Sequence, residues 1–337
     1  MKIEPMPSRT VELLADISGR SVDELSEVAR KYPFAVPPFV MRRAAEGTYS
    51  LGALRQFLPD ARELEDAVGY IDDPTGENAL HPESSVLQAY ENRVALIVTH
   101  RCLVYCRFCF RKSFVGMPGH EISTDDLEIA TDYIAHHPDV TDILLSGGDP
   151  LALSNRRLLP LLERLVELPN VKAIRIHSRA LSAAPERINR ELVSFLTAHT
   201  QFWYYAHMNH PDDIDHPDVI AAVRRLLSAQ VPVLNQCVIL AGVNDDPEVM
   251  AHLMLKCYEA KVIPYNLYLL DPVKGAAHFE VRTEKTLAIC RRLSRLPGPA
   301  QPVLVYVDDK SQKHRTVVDD PAHVVSFLNG RRASRPT

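Results

Sequence analysis

From Arg93 onward the chain alternates short apolar runs with longer amphipathic stretches at helical spacing, and this alternation restricts the folds open to it more than any other feature. The runs fall at 94–99 (VALIVT), 142–146 (DILLS), 172–178 (KAIRIHS), 202–208 (FWYYAHM), 232–240 (PVLNQCVIL) and 264–270 (PYNLYLL). They are too short for helices and most are rich in β-branched or aromatic residues, so each reads as a strand. Helical candidates lie between them at 125–136, 156–168, 185–198, 217–230 and 247–260, several opened by an Asp or Pro suited to a first turn. Another helix, 283–294, precedes a last extended run at 303–307 (VLVYV). Strands joined by connections of helical length become parallel neighbours.

Six such units fall short of the eight that close a barrel, so the expected fold is α/β, a partial (β/α)6 TIM-like barrel with a mouth wide enough for a bulky substrate. Its binding groups are expected in the loops after the strands, at their carboxyl ends. Residues 1–92 show helical spacing in RTVELLADIS and VDELSEVARKY, broken by Pro33, Pro37, Pro38 and Pro59, and read as a helical N-terminal cap. Residues 93–296 form the barrel core, and 297–337 a C-terminal segment closing the pocket. Lysine and arginine number 38 against 43 acidic residues, a net charge of -5 that offers no basic field for nucleic acid. The first residues lack the pattern of a secretory signal and no stretch is apolar for long enough to span a bilayer, so a cytoplasmic protein without membrane contact is expected.

Directly after the first strand comes HRCLVYCRFCFRK, which sets Cys102, Cys106 and Cys109 in a Cys-x3-Cys-x2-Cys loop. Three thiolates in one loop repel one another unless a cation neutralises them, so a metal centre is expected. Structural zinc takes four protein ligands, whereas Cys237, Cys257 and Cys290 are scattered and read as core. Three cysteines suit an iron–sulfur cluster whose fourth iron has no protein ligand and stays open to a small molecule.

With these residues in view the chain resembles the radical S-adenosylmethionine superfamily, and within it the lysine 2,3-aminomutase family, including the branch that modifies a lysine of elongation factor P. The stretches that carry the resemblance are YPFAVPPFV, LRQFLPDARELE, VTHRCLVYCRFCFRKSFVG, LLSGGDPLAL, IRIHSRAL, HMNHPDDI, VLNQCVILAGVNDD and PYNLYLLDPVKGAAHFEV, which together span nearly the whole chain. The resemblance implies a [4Fe-4S] cluster on Cys102, Cys106 and Cys109. It also implies S-adenosylmethionine on the open iron, whose one-electron cleavage yields a 5'-deoxyadenosyl radical that removes hydrogen from carbon. Ser146, Gly147, Gly148 and Asp149, in SGGDP, match the segment that receives the methionine amino group, the glycines allowing close approach of backbone to ligand.

By the same resemblance Arg111 grips a substrate carboxylate, a task suited to a planar guanidinium. The alternative is that Arg107, Arg111 and Lys112 only offset the charge of the cluster; binding is favoured for Arg111, and Lys112 suits either role. Asp271 matches a receiver of the distal substrate amine and Asp308 a second aspartate beside it. Arg93, Asn235 and Gln236 match pocket-lining positions, and His207 and His210 read as lining rather than as a metal pair. Family members hold pyridoxal phosphate on a lysine after the final strand, behind several glycines. Here that segment is PVLVYVDDKSQKHRTVV, without glycine, and the pattern position falls on His314. Lys313 fits after a one-residue deletion and Lys310 fits less well, so pyridoxal 5'-phosphate is left open. Two reactions therefore stand: a 2,3-amino shift in an amino acid with Lys313 as the pyridoxal lysine, or decarboxylation, without pyridoxal phosphate, of a sugar acid such as cytosylglucuronic acid in nucleoside antibiotic biosynthesis. The implied partners are a small carboxylate-bearing substrate and an electron donor such as flavodoxin or ferredoxin, with a homodimer also entertained.

Overall fold

The computed structural model describes residues 8–80, 85–116, 121–308, 312–318 and 321–333. Its lead-in holds helices α1 (Ser8–Ser18), α2 (Val22–Lys31), α3 (Pro38–Ala45) and α4 (Leu51–Leu54). Strands β1 (Val86–Tyr90) and β2 (Arg93–Thr99) follow, then α5 (Thr124–His136), β3 (Asp142–Gly147), α6 (Asn155–Val166), β4 (Ala173–Ser178), α7 (Ala180–Ala183), α8 (Arg190–Thr197) and β5 (Phe202–Ala206). The chain continues through α9 (Pro217–Ser228), β6 (Val233–Val238), α10 (Pro247–Glu259), β7 (Ile263–Tyr268), α11 (Thr283–Leu293), β8 (Val303–Val307), β9 (Lys313–Val317) and α12 (Pro321–Ala333).

Among the described residues one sheet takes its strands in sequence order, β1 to β9. Every pair from β2 to β8 is parallel, whereas β1 and β9 join the two edges antiparallel. The six expected strands are present, and 303–307 adds a seventh parallel one. The two antiparallel edges draw together: Gln312 Nε2 donates to Ala89 O at 3.3 Å and the Lys313 N–H to Tyr90 Oη at 3.0 Å. Side chains thus bridge a gap that no backbone ladder closes, joining β1, from the segment read as a cap, to the C-terminal hairpin.

The helices pack on the outer face for the reason the spacing suggests. Leu158, Leu161, Leu162 and Leu165 make one stripe of α6, and Val219, Ala222, Val223 and Leu226 one stripe of α9. Asp246 caps α10, and Pro217 and Pro247 occupy first-turn positions of α9 and α10, as expected. The single helix expected at 185–198 is instead a 3-10 turn, Pro185–Arg187, followed by α8, because Asn189 caps Leu192 N–H and begins the helix anew. Along β4 the alternation is visible directly: Ile174 and Ile176 are buried against the helices, while Arg175 and His177 point into the barrel. The core is continuous, running from Leu14, Leu25, Phe39 and Phe57 of the lead-in to Leu96, Ile143 and Tyr204 of the sheet.

Candidate active site

The barrel interior opens as a cavity of about 330 Å³ at the carboxyl ends of the strands. Cys102, Cys106 and Cys109 line its upper wall, in the loop that follows β2. That loop is pinned on both sides: the Arg107 N–H donates to Gln56 O at 2.9 Å, and the Gly148 and Asp149 N–H groups donate to Thr99 O and Arg101 O at 2.6 and 2.8 Å. Burial pushes all three thiols up, Cys109 to about 12, so they become thiolates only against a compensating positive centre. Among the described residues no three His, Cys, Asp or Glu side chains converge on a point suited to one metal ion. All three cysteines nevertheless line the same cavity, and three thiols in one loop suit a cluster with three cysteine ligands. Cys237, Cys257 and Cys290 are buried core, as expected.

Gly147 adopts φ +104°, and a Cβ on Gly148 would stand 2.1 Å from Arg101 O. The close approach that these glycines permit is therefore to the chain's own cysteine loop, in addition to any ligand. Asp149 serves as a joint of the same region, accepting from Leu151 N–H, Ser178 Oγ–H and Arg179 N–H at 2.9, 3.0 and 2.9 Å. Ser146, Gly147, Gly148 and Asp149 all reach the cavity wall.

Arg111 is buried beside them, and its guanidinium already has an internal partner. Nε and Nη2 donate to Glu77 at 2.7 and 2.8 Å, and Nη1 donates to Ser146 Oγ at 2.6 Å and Gly147 O at 3.2 Å. Asp271 lies on the same wall.

Deeper in the cavity stand Arg93, Gln236, His177, His207 and Lys313. The Arg93 guanidinium lies 3.7 Å over the Tyr90 ring, and Lys313 Nζ is 5.4 Å from the Tyr268 ring centre. Burial holds the Lys313 amine down to about 8, the cations Arg93, Arg315 and Arg175 adding to the effect. His177 stacks on Tyr205 at 4.6 Å, and burial keeps both it and His207 neutral, the latter at about 3. Asp142, at the foot of β3, is ion-paired with Arg175.

Three expected residues, Asn235, Asp308 and His210, are placed outside the cavity lining. Asn235 is locked in the core, accepting from Met208 N–H and donating to Met208 O at 2.9 and 3.1 Å. Asp308 holds the β8–β9 turn, accepting from Gln312 N–H at 2.9 Å and facing His314 Nε2 at 3.0 Å. His210 is a local cap for Asp212 N–H, so it forms no pair with His207. Lys310 lies outside the described residues.

Sequence reasoning missed Arg179, although the rule that binding groups follow strands would have found it directly after β4. Its guanidinium lies between the rings of Phe57 and Phe108, 5.0 and 5.7 Å away, and its charge bears on Cys106. Both terminal nitrogens are buried with no hydrogen-bond partner among the described residues. Arg93 Nε and His177 Nε2 are in the same condition. Buried polar groups left unmet on the cavity lining are costly without a polar ligand, and the guanidinium donors among them fit an anionic group both beside the cysteines and beside Lys313.

The chain matches the model of the Radical SAM superfamily over residues 96–254. It is 36% identical to the L-lysine 2,3-aminomutase of Methanococcus maripaludis, over 96% of this chain and 76% of that one. To that of Escherichia coli it is 34% identical, over 83% of this chain and 80% of the other. To that of Clostridium subterminale it is also 34% identical, but the match spans only 64% of that protein's length. Among the described residues no helix is long and apolar enough to cross a membrane. The superfamily brings a [4Fe-4S] cluster, S-adenosylmethionine, a small-molecule substrate and a reductant. On this similarity the chain belongs to the lysine 2,3-aminomutase family of the radical SAM superfamily, and it is an enzyme of the isomerase kind.

Proposed function

We propose that the protein moves an amino group between C2 and C3 of a small amino acid, with pyridoxal phosphate carried on Lys313. The observation that carries this reading is the Lys313 amine inside the cavity, near Arg93 and held near neutrality by burial. A lysine with that setting has a large neutral, nucleophilic fraction close to pH 8. When bound, S-adenosylmethionine and the cluster supply hydrogen-atom abstraction by an adenosyl radical, and pyridoxal phosphate supplies a carbonyl for the substrate amine.

The chain's own residues hold these groups in place. Cys102, Cys106 and Cys109 would hold the cluster, and Ser146, Gly147, Gly148 and Asp149, on the cavity lining, would receive the methionine moiety. Arg179 offers its two unmet donors to negative charge beside Cys106. Arg93, whose Nε has no partner among the described residues, would hold the phosphate, with Gln236 also in the cavity lining. Arg111 takes the substrate carboxylate, which has to compete with Glu77 for the guanidinium fork. Asp271 receives the distal ammonium. A flavodoxin or ferredoxin supplies the electron, in the cytoplasm.

Anaerobic reconstitution followed by assay of iron, sulfide and pyridoxal phosphate tests the reading. Borohydride should trap pyridoxal phosphate on Lys313, found by peptide mapping, and Lys313→Ala should trap none. Protein that cleaves S-adenosylmethionine yet takes up no pyridoxal phosphate would overturn the amino shift and favour radical decarboxylation of a sugar acid.

A further inference from the structure

Beneath the cysteine loop lies a buried charge network that the proposed chemistry does not use. Glu63, in the 3-10 turn Ala61–Leu64 of the lead-in, is wholly buried and accepts from Arg107 Nε at 2.9 Å, Arg107 Nη2 at 2.6 Å and Lys112 Nζ at 2.6 Å. The two cations have further partners. Arg107 Nη1 donates to Pro33 O at 2.7 Å, and Lys112 Nζ donates to Arg107 O and to Gly275 O, each at 2.9 Å. Three segments thus meet in one network: the lead-in and the cysteine loop on the Glu63 carboxylate, and the loop that carries Asp271 on Lys112 Nζ. Arg107 and Lys112 are near enough to Cys106 and Cys109 to favour their thiolates.

We propose that Glu63 is a positioning residue of the iron–sulfur centre, fixing the cysteine loop and setting the cluster's reduction potential by offsetting Arg107 and Lys112. An electron entering the cluster is a negative charge in a dry setting, where nearby fixed charges act strongly. The potential therefore follows the local charge balance. Removing the Glu63 charge favours the reduced cluster, removing the Lys112 charge disfavours it, and removing both restores the balance. The inference rests on the assignment of the cluster to Cys102, Cys106 and Cys109.

The test is a redox titration, followed by electron paramagnetic resonance, of the reconstituted full chain and of Glu63→Gln, Lys112→Met and the double variant. Glu63→Gln should raise the potential and Lys112→Met lower it, each by a tenfold change or more in the reduced-to-oxidised ratio, about 59 mV for one electron. The double variant should return close to the parent. A merely structural role predicts the same direction of change in all three, as a loosened loop admits water, and that result would overturn the proposal. So would unchanged potentials, or loss of the cluster from all three variants. Loss from Glu63→Gln alone, with recovery in the double variant, supports it, since the second substitution removes the cation left unpaired. A parent protein that takes up no cluster would defeat the cysteine assignment instead.

Discussion

Lys313 shows how one side chain's environment sets its use. Burial and the surrounding arginines depress its amine from 10.5 to about 8, because a charge removed from water beside like charges is disfavoured. The folded chain gives up this proton at about pH 8 whereas the unfolded chain keeps it to about 10.5, so this group adds stability as pH rises through that window. The rate of pyridoxal phosphate capture, followed by absorbance, should rise with pH to a midpoint of about 8. Arg93→Met removes a repelling cation and should move the midpoint upward. The pairing of Arg111 with Glu77 makes a second prediction at this scale. Freeing a guanidinium from a charged hydrogen bond worth about 1.5–3 kcal/mol should make Glu77→Gln bind L-lysine about tenfold more tightly by calorimetric titration. Weaker binding would mean that Glu77 helps hold the ligand.

At the scale of elements, the β8–β9 hairpin decides which residue reaches the cavity. Side chains alternate along β9, so Lys313 and Arg315 turn inward toward Tyr268 and Tyr265, while His314 stacks on Tyr306 at 4.5 Å on the other side. A regular strand thus brings Lys313 to the cavity, where the resemblance implied a glycine-rich loop. Residue counting puts the family position on His314, which the pleat directs away. The other decisive junction is Thr99–Arg101 against Gly147–Asp149, where backbone meets backbone. Gly148→Ala must displace the Arg101 carbonyl and should cost on the order of 1–3 kcal/mol in urea unfolding, with loss of cluster uptake as the cysteine loop shifts.

At the scale of the whole molecule, the described residues form a partial barrel of seven parallel strands with an antiparallel strand at each edge. The lead-in is part of the same core, which gives it a share in stability beyond that of a lid. Phe57, from this segment, is fully buried and supports the Arg179 guanidinium. Phe57→Ala should therefore lower the unfolding free energy by about 3–5 kcal/mol. Cluster absorbance and circular dichroism should be lost together in one transition. Separate transitions would show that lead-in and barrel unfold independently.

The sequence alone determined the strand–helix alternation, the cysteine loop and the glycine segment, because these depend on local spacing: apolar period, thiol separation, and turn residues after a strand. Arg93, Gln236 and Arg111 were legible as wall residues only through the family resemblance, and the cavity lining includes all three. The tertiary structure decided the rest. Asn235 turned into the core and Gln236 onto the cavity because neighbours on a strand face opposite ways, and a shift of register is invisible without the partner strand. Glu77 on Arg111, Glu63 beneath the cysteines, and Lys313 rather than His314 in the cavity all depend on segments distant in the chain. Such contacts are fixed by packing, to which local pattern gives no access.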